Sequence, residues 1–204
     1  MIYSTHQRIQ QAPTWIIALL ILFIAIEPVC AKQPADLILK TNMIDDPYQD
    51  DGVSFRVLCY HDVRDDLRNT MHAWPQMGAL DTYDLVQHFS WLKENGYHPV
   101  SLDAIIAARN GGPRLPPKAI LITFDDGYLS VYTRVFPLLK LYNYPAVIGL
   151  VGEWLEDNKD GMVFYGDEWM PRGHFVTWPQ VREMVASGLV EVASHSYGLH
   201  RGET

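Results

Sequence analysis

Residues 119–128 read AILITFDDGY: six residues of a buried-strand pattern, then two adjacent aspartates and a glycine. A short, near-continuous apolar run bounded by turn residues fits a strand buried on both faces, as in a parallel sheet covered by helices. Working outward, the same pattern recurs. FRVLCYH (55–61), the short HPVSL (98–102), AVIGLVG (146–152) and VEVASH (190–195) alternate with helical periodicity. One helix is expected from Thr82 to Asn95, with Asp81 or Thr82 at its cap, Leu85, Phe89 and Leu92 on its apolar face, and Gly96 just past its end. A second is expected at Leu102–Asn110, and a third from about Ser130 to Asn143, where Pro137 must kink it or shift its start. A fourth runs from Trp178 to Ser187, capped by Thr177, with Gly188 beyond it. The stretch between AVIGLVG and Thr177 reads as a long loop. Repeated strand–helix–strand units define an α/β fold with a parallel sheet, open or closed into a barrel. In either architecture functional groups gather at the carboxyl ends of the strands.

Three strand ends carry conspicuous polar groups: Tyr60-His61-Asp62, Asp125-Asp126-Gly127, and Ser194-His195, the last followed by His200. Singly, each has an ordinary reading, because Asp-Gly is common turn chemistry and histidines occur in loops and cores. Together, one carboxylate and two imidazoles form the ligand set of an open metal site. A divalent ion lowers the pKa of water bound to it towards about 7, and a neighbouring carboxylate can take the proton as that water attacks a carbonyl. The pattern points to metal-assisted hydrolysis.

TFDDGY (123–128) paired with SHSYGLH (194–200) resembles the polysaccharide deacetylases of carbohydrate esterase family 4. The YHDV start at 60–63 and the five-residue histidine spacing are most similar to the poly-β-1,6-N-acetyl-D-glucosamine N-deacetylases of Gram-negative biofilm export systems. The resemblance runs from about Phe55 to the end of the chain and implies a distorted (β/α) barrel of about seven strands, of the NodB-like type. It implies Asp125 as general base, Asp126, His195 and His200 as metal ligands, and His61 as general acid for the departing amine. Tyr60, Tyr128 and Trp178 are expected as walls or core. The implied cofactor is a divalent metal, Zn²⁺ by default, with Co²⁺, Ni²⁺ or Fe²⁺ also suited to Asp-His-His. The implied substrate is an N-acetylglucosamine polysaccharide, the implied partner an outer-membrane polysaccharide export porin. The family continues with further strands and an arginine-containing motif past the point matching His200, so the barrel of residues 55–204 is expected to be incomplete. Deacetylation of peptidoglycan, chitin or xylan, or an inactive carbohydrate-binding remnant, are the alternatives that the motifs leave open.

The rest of the chain bounds these expectations. Of 204 residues, 48% are hydrophobic and 20% charged, a globular composition. The formal net charge of −8, without clustered Lys and Arg, argues against a nucleic-acid partner. Trp15 to Ile26 is an unbroken apolar run behind Arg8, of signal-peptide length and short of a bilayer span. Val29-Cys30-Ala31 offers small residues for cleavage after Ala31, so residues 1–31 are expected as a signal peptide and the protein as exported to the periplasm. An uncleaved leader or a lipid on Cys30 would instead tie the domain to the membrane. Residues 32–54, rich in Asp and Pro, read as a surface strand or loop leading into the domain. Two cysteines, one of them in the leader, make no disulfide framework.

Overall fold

The computed structural model describes residues 50–65, 67, 78–156, 161–166 and 168–199; the leader and His200 lie outside them. Its centre is the apolar stretch before the paired aspartates. Strand β5 (Ala119–Phe124) is flanked by β1 (Arg56–Tyr60) on one edge, in parallel register with Cys59 opposite Thr123. The other edge of β5 is shared: β4 (His98–Pro99) pairs its start, and β6 (Ala146–Val151) pairs its end through Thr123 and Phe124. Strand β9 (Val190–Ser196) continues from β6, and all five strands are parallel. The parallel α/β sheet is therefore present. Two short pairs stand apart from it: β2 (Val63–Arg64) with β3 (Leu80–Asp81), and an antiparallel hairpin, β7 (Met162–Tyr165) with β8 (Glu168–Pro171).

Side-chain alternation along the strands builds two apolar layers. Ile120, Ile122 and Phe124 of β5, with Ile148 and Leu150 of β6, face helices α1 (Thr82–Glu94), α3 (Phe136–Tyr142) and α5 (Trp178–Ala186). Each fully buried isoleucine there stabilises the fold by about 1.5–3 kcal/mol. The opposite residues, Ala119 and Leu121 of β5 and Val147 of β6, meet Ile105 and Ala108 of α2 (Leu102–Arg109). Helix α2 thus fills the second face near the amino ends of the strands. Its start is held by β9: Leu102 and Asp103 donate their amide hydrogens to Glu191 at 2.7 and 3.1 Å, and Ser101 caps Ala104. A carboxylate at a helix N-terminus satisfies orphan N–H groups and faces the positive end of the dipole.

The helix punctuation matches the sequence to within a residue. Asp81 accepts from the Tyr83 amide, Leu85, Phe89 and Leu92 are fully buried, and Gly96 adopts positive φ as Tyr97 bonds back to Leu92. At Thr177 a complete capping box forms with Gln180. The third helix shows the shifted start expected of Pro137, and one other stretch differs from expectation. The third helix opens as a π-helical turn (Val131–Val135) and becomes regular α3 only where Pro137, lacking an N–H, sits in a first turn that needs none. The stretch expected as a long loop instead holds α4 (Gly152–Leu155) and the β7–β8 hairpin. Val163 and Met170 of that hairpin are buried in the main core.

Candidate active site

The second face of the sheet changes character one step above the α2 layer. Proceeding along the strands, Leu121 gives way to Thr123 and then Asp125, Val147 to Gly149, and Ala193 to His195. Asp125 still follows strand geometry, its amide donating to the Tyr60 carbonyl at 2.9 Å. The next two residues do not. Asp126 has φ 72° and Gly127 φ 73°, two consecutive left-handed residues. Such a conformation costs a non-glycine residue about 1–2 kcal/mol. At Gly127 a Cβ would also lie 2.8 Å from Leu150 Cδ2, so a side chain there meets a strained backbone and pushes the Leu150 methyl aside. The tight reversal turns neighbouring carboxylates into different surroundings: Asp126 is 0% exposed, whereas the Asp125 side chain keeps a quarter of its surface open.

An aromatic wall backs this turn. Val176 donates its amide to the Gly127 carbonyl, and Tyr128 bridges and stacks on Phe175, their rings 5.3 Å apart. Trp154 and Tyr165 pack on the same group. Burial, then its hydrogen bond with Tyr165, pushes the Tyr128 hydroxyl well above the ordinary tyrosine range, and burial with the Asp126 charge raises that of Tyr165 against the Tyr128 hydrogen bond. Tyr128 is thus a wall. Tyr60 is core, stacked on Phe124 with its hydroxyl 3.3 Å from His88 Nδ1. Trp178 is 44% exposed and lines, with Leu150, Ala193, Ser194 and Tyr197, a cavity of about 230 Å³.

His195 joins the two aspartates. The β6–β9 register runs Leu150 opposite Ser194 and Val151 opposite Ser196, which leaves His195 as the extra residue of a bulge. Bulges of this kind re-aim a side chain beside functional sites. The ring lies with Nε2 3.6 Å from Asp126 Oδ1 and Nδ1 3.9 Å from Asp125 Oδ2. Gly149 makes room, since a Cβ there would meet Asp125 Oδ1 at 3.0 Å and His195 Cβ at 3.4 Å.

The fourth group enters from β1. His61 follows the strand, in a segment pinned by Asp62, which accepts from Ser130 at 2.7 Å while the Val63 amide donates to the same hydroxyl. Ligand atoms of His61, Cys59 and Asp125 all lie within 4.8 Å of one another. Cys59 is the residue that sequence reasoning left out. Its Sγ is 3.4 Å from Asp125 Oδ2, and burial, then the Asp125 and Asp126 charges, raise the thiol pKa against one opposing hydrogen bond from Thr123. The available signal was its place two residues before His61 on one strand face.

Of the expected site residues, the structure brings together His61, Asp125, Asp126 and His195; His200 lies outside the described residues. Asp126 and His195 suit a metal ion chemically. They offer one hard oxygen and one imidazole nitrogen 3.6 Å apart, near the roughly 3.4 Å separating two such ligands on a tetrahedral ion.

Residues 112–203 match the polysaccharide deacetylase family. The chain carries a polysaccharide deacetylase domain. The domain is similar to a poly-β-1,6-N-acetyl-D-glucosamine N-deacetylase of Escherichia coli (strain K12), 42% identical over 160 residues, 78% of this chain and 23% of that protein. It is similar to the solved BpsB deacetylase domain of Bordetella bronchiseptica, at 45% identity and a TM-score of 0.65, with 76% of this chain and 60% of that one covered. The de-N-acetylase of Aggregatibacter actinomycetemcomitans aligns at 47% identity and a TM-score of 0.64, over 69% and 54% of the two chains. The deacetylase domain thus has the NodB-like α/β architecture, here as part of a barrel, and the chain spans about a quarter of the length of the Escherichia coli relatives.

Proposed function

We propose that this chain removes acetyl groups from poly-β-1,6-N-acetyl-D-glucosamine by metal-dependent hydrolysis, in the periplasm after export, on polymer bound for an outer-membrane porin. The observation that carries the reading is the pair of adjacent carboxylates in opposite environments, one dry and one wet, set against the two nitrogens of a single histidine. The similarity to proteins named for this activity supports the choice of polymer.

The roles follow from the surroundings. Asp126 and His195 would hold a divalent ion, with His200 as the third ligand that the family resemblance implies. When bound, a divalent ion supplies Lewis-acid polarisation of the acetamide carbonyl and makes water more acidic. Asp125 is partly open to solvent, so it can take a proton from a water entering the site. His61, on the far side of Asp125, gives a proton to the amide nitrogen as the carbon–nitrogen bond breaks. Acetate departs, and the sugar keeps an amine that becomes cationic. A chain of net charge −8 suits a neutral substrate and a cationic product. The exposed rings of Trp178 and Tyr197, which line one cavity, offer flat apolar surfaces for sugar rings.

Acetate release from poly-N-acetylglucosamine by the purified chain, with and without a chelator, tests this. The reading expects activity that a chelator abolishes and Asp125→Asn lowers by roughly 10²-fold or more. Asp125→Asn is expected to retain metal in elemental analysis, while Asp126→Asn loses it. Chelator-insensitive activity, or full activity of Asp125→Asn, overturns it. A panel of chitin oligomers, peptidoglycan and xylan reads the choice of polymer separately.

A further inference from the structure

The hydrolytic reading leaves one cluster unabsorbed. It uses Asp125 and His61 for protons and gives Cys59 nothing to do, yet Cys59, His61 and Asp125 converge from two neighbouring strand ends with their ligand atoms within 4.8 Å of one another. We infer that Cys59, His61 and Asp125 form a second ion site, selective for thiophilic divalent cations such as Cd²⁺ or excess Zn²⁺, and distinct from the one on Asp126 and His195.

Three observations carry the inference. The first is geometry. Ligands on a common tetrahedral ion stand roughly 3.3–3.6 Å apart for thiolate, imidazole and carboxylate. Cys59 Sγ and Asp125 Oδ2 are already at 3.4 Å, and His61 needs to approach by about 1.5 Å at most. The second is rigidity. The Cys59 backbone is fixed by its register opposite Thr123, that of Asp125 by the hydrogen bond its N–H donates to the Tyr60 carbonyl, and the His61 segment by the Ser130–Asp62 hydrogen bond. The third is donor chemistry. The Asp126–His195 pair offers oxygen and nitrogen, whereas this trio adds a sulfur, which favours softer ions. The thiol faces Asp125 as a hydrogen-bond donor, so binding releases the thiol proton and replaces that bond with two bonds to the ion. An ion seated here also occupies both groups that the hydrolytic reading needs for proton transfer. That inhibitory consequence rests on the proposed function; the binding itself does not.

The test is a Cd²⁺ titration of the 204-residue chain carrying Cys30→Ser, so that Cys59 is its only thiol. The readout is the ultraviolet charge-transfer absorption of a cadmium–thiolate bond. The expected result is a saturable band whose amplitude corresponds to one cadmium–thiolate bond per chain, the Asp126–His195 site taking up cadmium without a band, and with the dissociation constant of the band raised at least about tenfold by His61→Ala and by Asp125→Asn, since even outer partners of metal ligands cost 10–100-fold. A variant whose far-ultraviolet circular dichroism departs from the parent is replaced by His61→Gln or Asp125→Ser. Absence of the band in the parent overturns the inference, as does a band whose dissociation constant neither substitution moves, because a lone thiol would then be the whole site. Failure of acetate release leaves this result standing, and failure of cadmium binding leaves the hydrolytic reading standing.

Discussion

Gly149→Ala isolates the positioning of Asp125 from the stability of the fold. The residue lies in the middle of β6, where its backbone needs no glycine, but the new methyl would sit 3.0 Å from Asp125 Oδ1 and 3.4 Å from His195 Cβ. Ordinary contact begins near 3.4 Å, so the carboxylate must retreat by about 0.4 Å. A 1 Å misplacement of a reacting group costs about 10²-fold in rate, so a retreat of this size predicts a fall in kcat of roughly sixfold, with KM little changed. Two stability terms oppose each other. Forcing Asp125 off its rotamer costs about 0.5–1.5 kcal/mol. Replacing glycine by alanine in a compatible backbone returns about 0.4–1 kcal/mol through the unfolded chain. The net change stays within about 1 kcal/mol, or about 4 °C in Tm. The assays are acetate-release kinetics and a thermal melt on one preparation. An unchanged kcat would refute the claim that Asp125 acts from its present position, and a collapse of Tm would refute the claim that Gly149 serves the site rather than the core.

Gly127→Ala should behave in the opposite way, since the left-handed backbone and the Leu150 contact both resist it. A cost of about 2 kcal/mol is expected from the backbone alone, a drop in Tm of about 4–8 °C by thermal melt; an unchanged Tm would show that the turn relaxes freely. For Cys59, alkylation followed by mass spectrometry of its peptide should be slow near neutral pH and quicken only as pH rises past the ordinary thiol range, because burial and neighbouring carboxylates favour the neutral thiol. Asp125→Asn removes one of those charges and should speed alkylation at fixed pH; an unchanged or slower rate would show that the Asp125 charge does not govern the thiol.

What could be read in advance divides along physical lines. Local signals were reliable: the spacing of Leu85, Phe89 and Leu92, the Thr177–Gln180 box and the apolar run of β5 each depend on neighbours in the chain, and each is present. The hairpin of Met162–Tyr165 and Glu168–Pro171 was missed, because four-residue strands ending in proline carry too little periodicity, and Val163 and Met170 gain their burial from distant elements. At the site, the adjacency of Asp125 and Asp126 was visible but the contrast between them was not. That contrast arises from a left-handed turn held by Phe175 and Val176, some fifty residues away. Cys59 joins the site only through its strand pairing with Thr123, and His195 reaches both aspartates from a bulge that no spacing announces.

The bond between Glu191 and the start of α2 has a consequence for how the sheet is aligned. Floor and site are written on the same faces of the same strands, two residues apart: Leu121 below Thr123, Val147 below Gly149, Ala193 below His195. A slip of one residue would turn every side chain to the wrong face and is strongly opposed, but a slip of two keeps each face apolar or polar as before. Hydrophobic burial alone therefore discriminates weakly against a fold in which the whole catalytic storey sits one step too low. Glu191 breaks that near-degeneracy. Moved by two positions, Ala193 would stand where the carboxylate now meets the Leu102 and Asp103 amides, and two N-terminal helix donors would lose their side-chain acceptor. A single side chain on the floor thus keeps the storey above it in phase.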